Sequence, residues 1–419
     1  MDKFLVYNSS LSGSVKISGS KNAALPIMAA TLLTECKCIL HNIPDLMDVR
    51  TMIKILEVLG KRIDFKNNTL IIRNCSNKAF IAPYNLVRTM RASFCCLGPL
   101  LGKRKKAKVA LPGGCVIGPR PVDLHLKGLQ SLGAQISIDK GYCLGKTKQL
   151  KGAHIYLGGA FGSSVLATAN VLMAAVLADG ETVIEHAACE PEIESLAIFL
   201  NKIGAKIQGH GSPIMRVKGV KKLSGCEFNN ICDRIEVGTF IAASLATRSA
   251  LTIKEVEVFH LTSVIDIARK IGAEIKINGR TLFIKPKQRL NPINITTLCY
   301  PGFPTDLQAQ FMAALSFAKG ISLITEKIYP DRFMHVGELN RMGAAIQRSG
   351  PHCIIEGKEK LFGAEIMASD LRASAALVIA GLAAQGKTEI LRVYHIDRGY
   401  EKIENKLKKL GAKIVRKKQ

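Results

Sequence analysis

At 419 residues, 47% hydrophobic and 22% charged, the chain can bury two full cores, and its composition excludes a disordered or low-complexity protein. A net charge of +26 selects anionic partners, but 5% aromatic content with no Trp leaves the basic runs KRKKAK (103–108) and VRKKQ (415–419) without a stacking surface for nucleic-acid bases. Those runs read equally well as solvated surface.

The first residues contain no apolar h-region followed by a small-residue cleavage site, so no export signal is read and a cytoplasmic protein is expected. SGSKNAALPIMAATLLTE opens with Lys21 and Asn22 and continues apolar nearly all round. That is the pattern of a buried helix whose small side chains let neighbours approach closely. Val49, Met52, Ile53 and Leu56 then share one face of an amphipathic helix ending at Gly60. RTMRAS, with Arg91, introduces an apolar run holding Cys95 and Cys96. Of the twelve cysteines no CxxC pair offers metal spacing, and most read as buried thiols.

LPGGCVIGPRPVDLH is different. Gly113, Gly114 and Gly118 permit backbone conformations other residues avoid, while Pro112, Pro119 and Pro121 bound the segment. This is a candidate lid with Cys115 near its tip, where Arg120 and Lys21 favour a thiolate. After a helix ending at Gly133, Ser164 precedes VLATANVLMAAVLA, which Thr168 and Asn170 interrupt and which is shorter than the ~20 residues of a membrane span. Glu190 and Glu192 complement the dipole of a helix with Ile193, Leu196, Ala197, Leu200 and Ile203 on one face before Gly204. Asp233 stands before IEVGTF, and Asp306 follows Pro304 and Thr305 where a loop runs into a helix. Asp370 and Arg372 introduce ASAALVIAGLAAQG, and Tyr400, Ile403, Leu407 and Leu410 line the last amphipathic helix.

Gly60, Gly133, Gly204, Gly272, Gly343 and Gly411 recur about every seventy residues, each where a left-handed C-cap would release a helix into a strand. Six folding units in two groups of three are expected. Polar groups at the mouths of buried helices are costly unless capped, paired or ligand-bound, and helix N-termini favour anions. The first three mouths carry Lys21, Asn22, Arg91 and Ser164; the last three carry Asp233, Asp306 and Asp370. That asymmetry suggests a cleft with a phosphate-binding wall facing one that holds a base, the alternative being that the aspartates are ordinary N-caps.

SGSKNAALPIMAA, LVRTMRAS, LPGGCVIGPRPVDLH, EPEIESLAIFLNKIGA, PDRFMHVGELNRMGA, DLRASAALVIAGL and YHIDRGYEKIENKLKKLGA together resemble the UDP-N-acetylglucosamine enolpyruvyl transferase family nearly end to end. The resemblance implies an α/β fold, a two-domain inside-out α/β barrel in which each domain holds three βαβαββ repeats. Residues 21–231 would carry the Cys115 loop; 1–20 plus 232–419 would form a discontinuous second domain with Asp306, Asp370 and Arg398. It implies transfer of the enolpyruvyl group of phosphoenolpyruvate to the 3-hydroxyl of UDP-N-acetylglucosamine with release of phosphate, the first committed step of peptidoglycan synthesis and so of cell-wall growth and division.

By the same resemblance Cys115 donates a proton to C3 of phosphoenolpyruvate, Asp306 is the favoured base for the sugar hydroxyl, and Asp370 is an active-site carboxylate of unassigned role. Lys21, Asn22, Arg120 and Arg398 take the phosphate-bearing substrate. Arg91, Arg120, Pro121, Val122, Asp123, Leu124, Ser164, Val165, Asp306 and Ile328 contact the sugar nucleotide. Met47 and Gly162 stand where the family often presents lysines, which bears on nucleotide affinity. An acid, a base and a phosphate clamp suffice for addition followed by elimination, so no metal or cofactor is expected. Two rivals remain at this point: a 5-enolpyruvylshikimate-3-phosphate synthase, against which the Cys115 loop and RPVDLH argue, and a non-catalytic basic binding protein that kept the fold. No obligate protein partner is implied.

Overall fold

The computed structural model describes residues 2–112 and 122–418. Its contacts separate into two compact units: the described residues of 19–231, and a discontinuous unit formed by those of 2–18 and 232–418. In each unit the described residues form three four-stranded sheets of one topology, a parallel pair extended by antiparallel strands. In the first unit Glu227–Asn229 runs parallel to Cys38–His41, which pairs with Thr69–Asn74 and through it with Lys61–Lys66. In the second, Ser14–Lys16 runs parallel to Leu251–Lys254. Asp2–Tyr7 lies between Lys387–Leu391 and Ile414–Lys418, setting Phe4 opposite both Ile390 and Arg416. The strands alternate buried and outward residues, as in Ile214–Lys218 and His352–Glu356, so each sheet covers a core with one face.

Inside each unit the Ala-rich segments are the buried helices. In the discontinuous unit, Arg234–Thr247, Gln308–Leu315 and Leu371–Ala383 pack against one another in all three pairings. Arg234–Thr247 is buried along its whole length except Thr247. In the 19–231 unit, Leu97–Arg104 packs on Val165–Ala175, and Lys21–Ala30 on both Val165–Ala175 and the 3-10 turn Arg91–Cys96. Helices within and sheets outside make each unit an inside-out α/β barrel. Small residues permit the close approach: a Cβ on Gly98 would sit 2.2 Å from the Asn170 carbonyl oxygen.

The glycines that mark the repeats do so through conformation. Gly60, Gly133, Gly204, Gly272, Gly343 and Gly411 all have positive φ, between +87° and +122°, which ends each outer helix at little steric cost. The amphipathic stripes of Pro191–Lys202 and of the last helix are buried as their spacing predicts. In Met47–Val58 the stripe is Val49, Met52, Ile55 and Leu56; Ile53 is only half-buried because Ile55 takes the inward position. Several members of the basic runs are engaged locally. Arg104 donates to the Leu59 carbonyl, and Lys106 and Lys108 lie over the Phe80 and Tyr142 rings. Arg416 forks onto Asp397. Among the described residues no helix is long and apolar enough to cross a membrane.

Candidate active-site residues

In the 19–231 unit the helix Lys21–Ala30 starts after Ser20, whose Oγ accepts from the Ala23 N–H (3.3 Å). Lys21 is buried and its Nζ lies 3.2 Å from the equally buried Asp48. Asn22, next along, is half-buried. Arg91 begins the 3-10 turn that leads into Leu97–Arg104. Ser164 caps Val165–Ala175 by accepting from the Ala167 N–H (3.4 Å). Val122 precedes the helix Asp123–Ser131, on which Asp123 is exposed and Leu124 half-buried. Leu124 reaches the short hairpin Gly158–Gly159/Gly162–Ser163, since a Cβ on Gly159 would sit 3.0 Å from its Cδ1.

One residue ties these elements together. Asn170, fully buried, donates through Nδ2 to the Phe94 carbonyl (2.9 Å) and to His125 Nδ1 (2.8 Å), and its Oδ1 accepts from the Gly98 N–H (2.8 Å). The turn bearing Arg91, the helix bearing Asp123 and Leu124, and the helix bearing Ser164 and Val165 are therefore held by a single amide. Burial, and secondarily Arg91, push the His125 imidazole down to about 3, so it accepts as a neutral ring. The sequence offered a signal, a lone Asn in an apolar run, but what Asn170 holds could not be read from it. The candidate lid of 113–121, with Cys115, Arg120 and Pro121, lies outside the described residues.

In the discontinuous unit the three aspartates divide into two kinds. Asp233 and Asp370 are N-caps: Asp233 Oδ1 accepts from the Ile235 and Glu236 N–H groups, and Asp370 Oδ1 from those of Arg372 and Ala373. Asp306 caps nothing. It lies in the 3-10 turn Thr305–Leu307, and its two carboxylate oxygens take separate guanidinium groups, Oδ1 from Arg332 (2.8 Å) and Oδ2 from Arg372 (2.7 Å). Burial works against its charge, but Arg372 and Arg332 overcome it and hold the carboxyl well below the usual range. Its backbone is fixed too. Gln310 Nε2 donates to the Asp306 carbonyl (2.9 Å) and to the Tyr400 hydroxyl (3.1 Å), while the Arg372 guanidinium lies over the Tyr400 ring at 5.5 Å.

Asp370 also stays below its ordinary range despite burial, through Arg332 and the two capping N–H groups. Beside it, burial pushes His335 down to about 4. Ile328 is half-buried and donates its N–H to Glu326 (2.9 Å). Arg398 ends the 3-10 turn Val393–Arg398 and is half-buried. Both oxygens of the adjacent Asp397 are engaged by Arg416 (2.9 and 2.6 Å). Arg372 links Asp306 to the Asp370 cap, and His395 feels both Arg398 and Asp370. Asp306, Asp370, Ile328 and Arg398 thus belong to one neighbourhood of this unit. Arg332 and Glu326, which complete it, were not singled out from the sequence, because nothing local marks an Arg twenty-six residues after Asp306 as its partner.

The sequence pattern of the family described as EPSP synthase (3-phosphoshikimate 1-carboxyvinyltransferase) matches residues 6–407. The chain belongs to the enolpyruvyl transferase family. Within it, the chain is 51% identical over 417 residues to a UDP-N-acetylglucosamine 1-carboxyvinyltransferase of Methylacidiphilum infernorum, covering 99% of each chain. It is 51% identical over 416 residues to one of Caldanaerobacter subterraneus subsp. tengcongensis, again 99% of each. Among solved structures it superposes on the enolpyruvyl transferase NikO from Streptomyces tendae with a TM-score of 0.90 at 21% identity, covering 99% of this chain and 98% of that one. EPSP synthase from Acinetobacter baumannii gives a TM-score of 0.76 at 20% identity, covering all of both. Those structures share the enolpyruvyl transferase fold.

Met47 and Gly162, where the resemblance led lysines to be expected, have different settings. Met47 is half exposed at the start of its helix (51%). Gly162 has φ of +95° in the hairpin against Leu124, a conformation in which a lysine would be strained.

Proposed function

We propose that this enolpyruvyl transferase moves the enolpyruvyl group of phosphoenolpyruvate to the 3-hydroxyl of UDP-N-acetylglucosamine and releases inorganic phosphate, in the cytoplasm, as the first committed step of peptidoglycan synthesis. The observation that carries this reading is the match, over 99% of the chain, to relatives bearing that activity in their names. The paired, ionised Asp306 supplies a group suited to the chemistry.

The sugar oxygen adds to C2 of phosphoenolpyruvate, its proton passes toward Asp306, and C3 receives a proton from Cys115. The tetrahedral adduct then loses a proton from C3 as the C2–O bond to phosphate breaks, which restores the double bond. A carboxylate held by two guanidinium groups is a weak base toward a ground-state alcohol. It is well placed to orient the hydroxyl and to accept its proton only as the C–O bond forms and the oxygen becomes acidic. Lys21, with Asn22, Arg120 and Arg398, takes the phosphate charge. Arg91, Pro121, Val122, Asp123, Leu124, Ser164, Val165 and Ile328 hold the nucleotide. Asp370 acts through its Arg372 helix cap on the partner of Asp306.

The test is phosphate release from phosphoenolpyruvate with UDP-N-acetylglucosamine or shikimate 3-phosphate as acceptor. Release that depends on the sugar nucleotide supports the proposal. Release with shikimate 3-phosphate alone overturns it in favour of the sister reaction, and salt-sensitive polynucleotide binding without release supports a non-catalytic protein.

A further inference from the structure

Glu326 ends the strand Ile321–Glu326 and is fully buried. Among the described residues no Lys or Arg donates a hydrogen bond to it. Its Oε1 accepts from the Thr297 hydroxyl (2.6 Å) and from the Ile328 and Tyr329 N–H groups (2.9 and 3.0 Å), and its Oε2 accepts from the Thr305 hydroxyl (2.9 Å). A buried carboxylate is costly unless its oxygens are well supplied with donors, and here four are gathered from three chain segments. The donor pattern fixes the direction of the bonds beyond it. Thr305 gives its one hydroxyl proton to Glu326, so it meets Arg332 as an acceptor (3.0 Å). The same Arg332 nitrogen turns its other proton to Asp306 Oδ1 (2.8 Å).

We infer that Glu326 is a positioning residue for the transfer reaction, setting Asp306 through Thr305 and Arg332 and setting Ile328 through the turn that follows the strand. This rests on the function proposed above. One carboxylate then fixes both the carboxyl that meets the sugar hydroxyl and the backbone at a nucleotide contact. The two arms separate chemically. Removing the Thr305 hydroxyl cuts only the route to Asp306, whereas neutralising Glu326 disturbs both.

The experiment compares Thr305→Val, Thr305→Ser and Glu326→Gln with the wild-type chain in the phosphate-release assay, with melting temperatures measured alongside. Thr305→Val is expected to lower kcat about tenfold or more while KM for UDP-N-acetylglucosamine stays within about threefold, and Thr305→Ser, which keeps the hydroxyl, to recover most of that loss. Glu326→Gln is expected to lower kcat and also to raise that KM about tenfold. Melting points that fall while kcat per folded enzyme stays at the wild-type value would mean a structural role only, and overturn the inference. Hydrogen exchange across 327–332 gives a reading independent of turnover: Glu326→Gln should speed it by about tenfold or more. Unchanged exchange there overturns the inference even for an enzyme with another acceptor, whereas a wild-type chain inactive with UDP-N-acetylglucosamine overturns the proposed function instead.

Discussion

Asp306→Asn removes one charge and almost no volume, and leaves the Arg332 and Arg372 guanidinium groups, with side chains 7% and 4% exposed, facing a neutral amide. Losing one partner of a buried ion pair costs roughly 3–5 kcal/mol. The Asp306 side chain is 27% exposed, Arg332 keeps the Thr305 hydroxyl and Arg372 keeps the Tyr400 ring, which places the cost at the low end, about 3 kcal/mol. For units of this size that lowers Tm by roughly 6–12 °C. The folded carboxyl lies below its ordinary value, so the stabilisation is complete above the unfolded carboxyl's range and is lost only as pH falls through the lower folded value. The stability gap between wild type and variant should therefore be constant from about pH 5 to pH 8, read as urea midpoints at each pH. In the phosphate-release assay kcat should fall about 10²- to 10⁴-fold with a modest change in nucleotide affinity. A variant of wild-type stability would refute the paired carboxylate. One with normal kcat and a raised KM would reduce Asp306 to substrate positioning.

Cys115→Ser should lose most turnover yet still bind UDP-N-acetylglucosamine by calorimetry; full activity would mean that the C3 proton has another source. Asn170→Ala leaves the Phe94 carbonyl, the Gly98 N–H and His125 Nδ1 without the amide that joins them, and should cost roughly 2–4 kcal/mol in urea unfolding. A loss below about 0.5 kcal/mol would show that the amide is not the tie we describe. His125 and His335, pushed to about 3 and about 4, stay neutral in the folded chain while unfolded imidazoles protonate near pH 6.5. The unfolded state then binds more protons, so stability falls with pH below about 6.5, by about 2 kcal/mol per histidine at pH 5. His335→Gln should flatten the pH dependence of the urea midpoint, and an unchanged slope would count against a buried neutral ring.

What the sequence made legible is what repeats locally. The six glycines recur because each must turn a helix end through positive φ, and the Ala-rich runs are buried because small side chains let helices meet. The caps at Asp233 and Asp370 were open to reading from residue type and position. What stayed hidden is nonlocal. Asp306 looks like a third aspartate cap until Arg332 and Arg372 are placed against it from segments twenty-six and sixty-six residues away. Asn170 reads as a blemish in an apolar helix until the Phe94 carbonyl, Gly98 and His125 come to it. Ile53 and Ile55 could not be ranked by period alone, since both border the same stripe.

The capping chemistry itself separates the helices in a way that bears on function. In each unit the first and third buried helices begin with a side-chain cap, Ser20 and Ser164 in one, Asp233 and Asp370 in the other. The middle helix of each, Leu97–Arg104 or Gln308–Leu315, has no side-chain cap and is preceded by a 3-10 turn. Tighter i to i+3 bonding there satisfies helix N–H groups that a cap would otherwise serve. Polar residues of the turn are consequently not required as caps of the helix that follows, and Arg91 and Asp306 are among those so placed. An N-cap aspartate has its carboxylate aimed back at the backbone, whereas one in a 3-10 turn can point both oxygens outward, as Asp306 does toward two guanidinium groups. The same repeat therefore yields capping aspartates at two mouths and one paired with guanidinium groups at the third, through a change in helix-start geometry rather than in residue type.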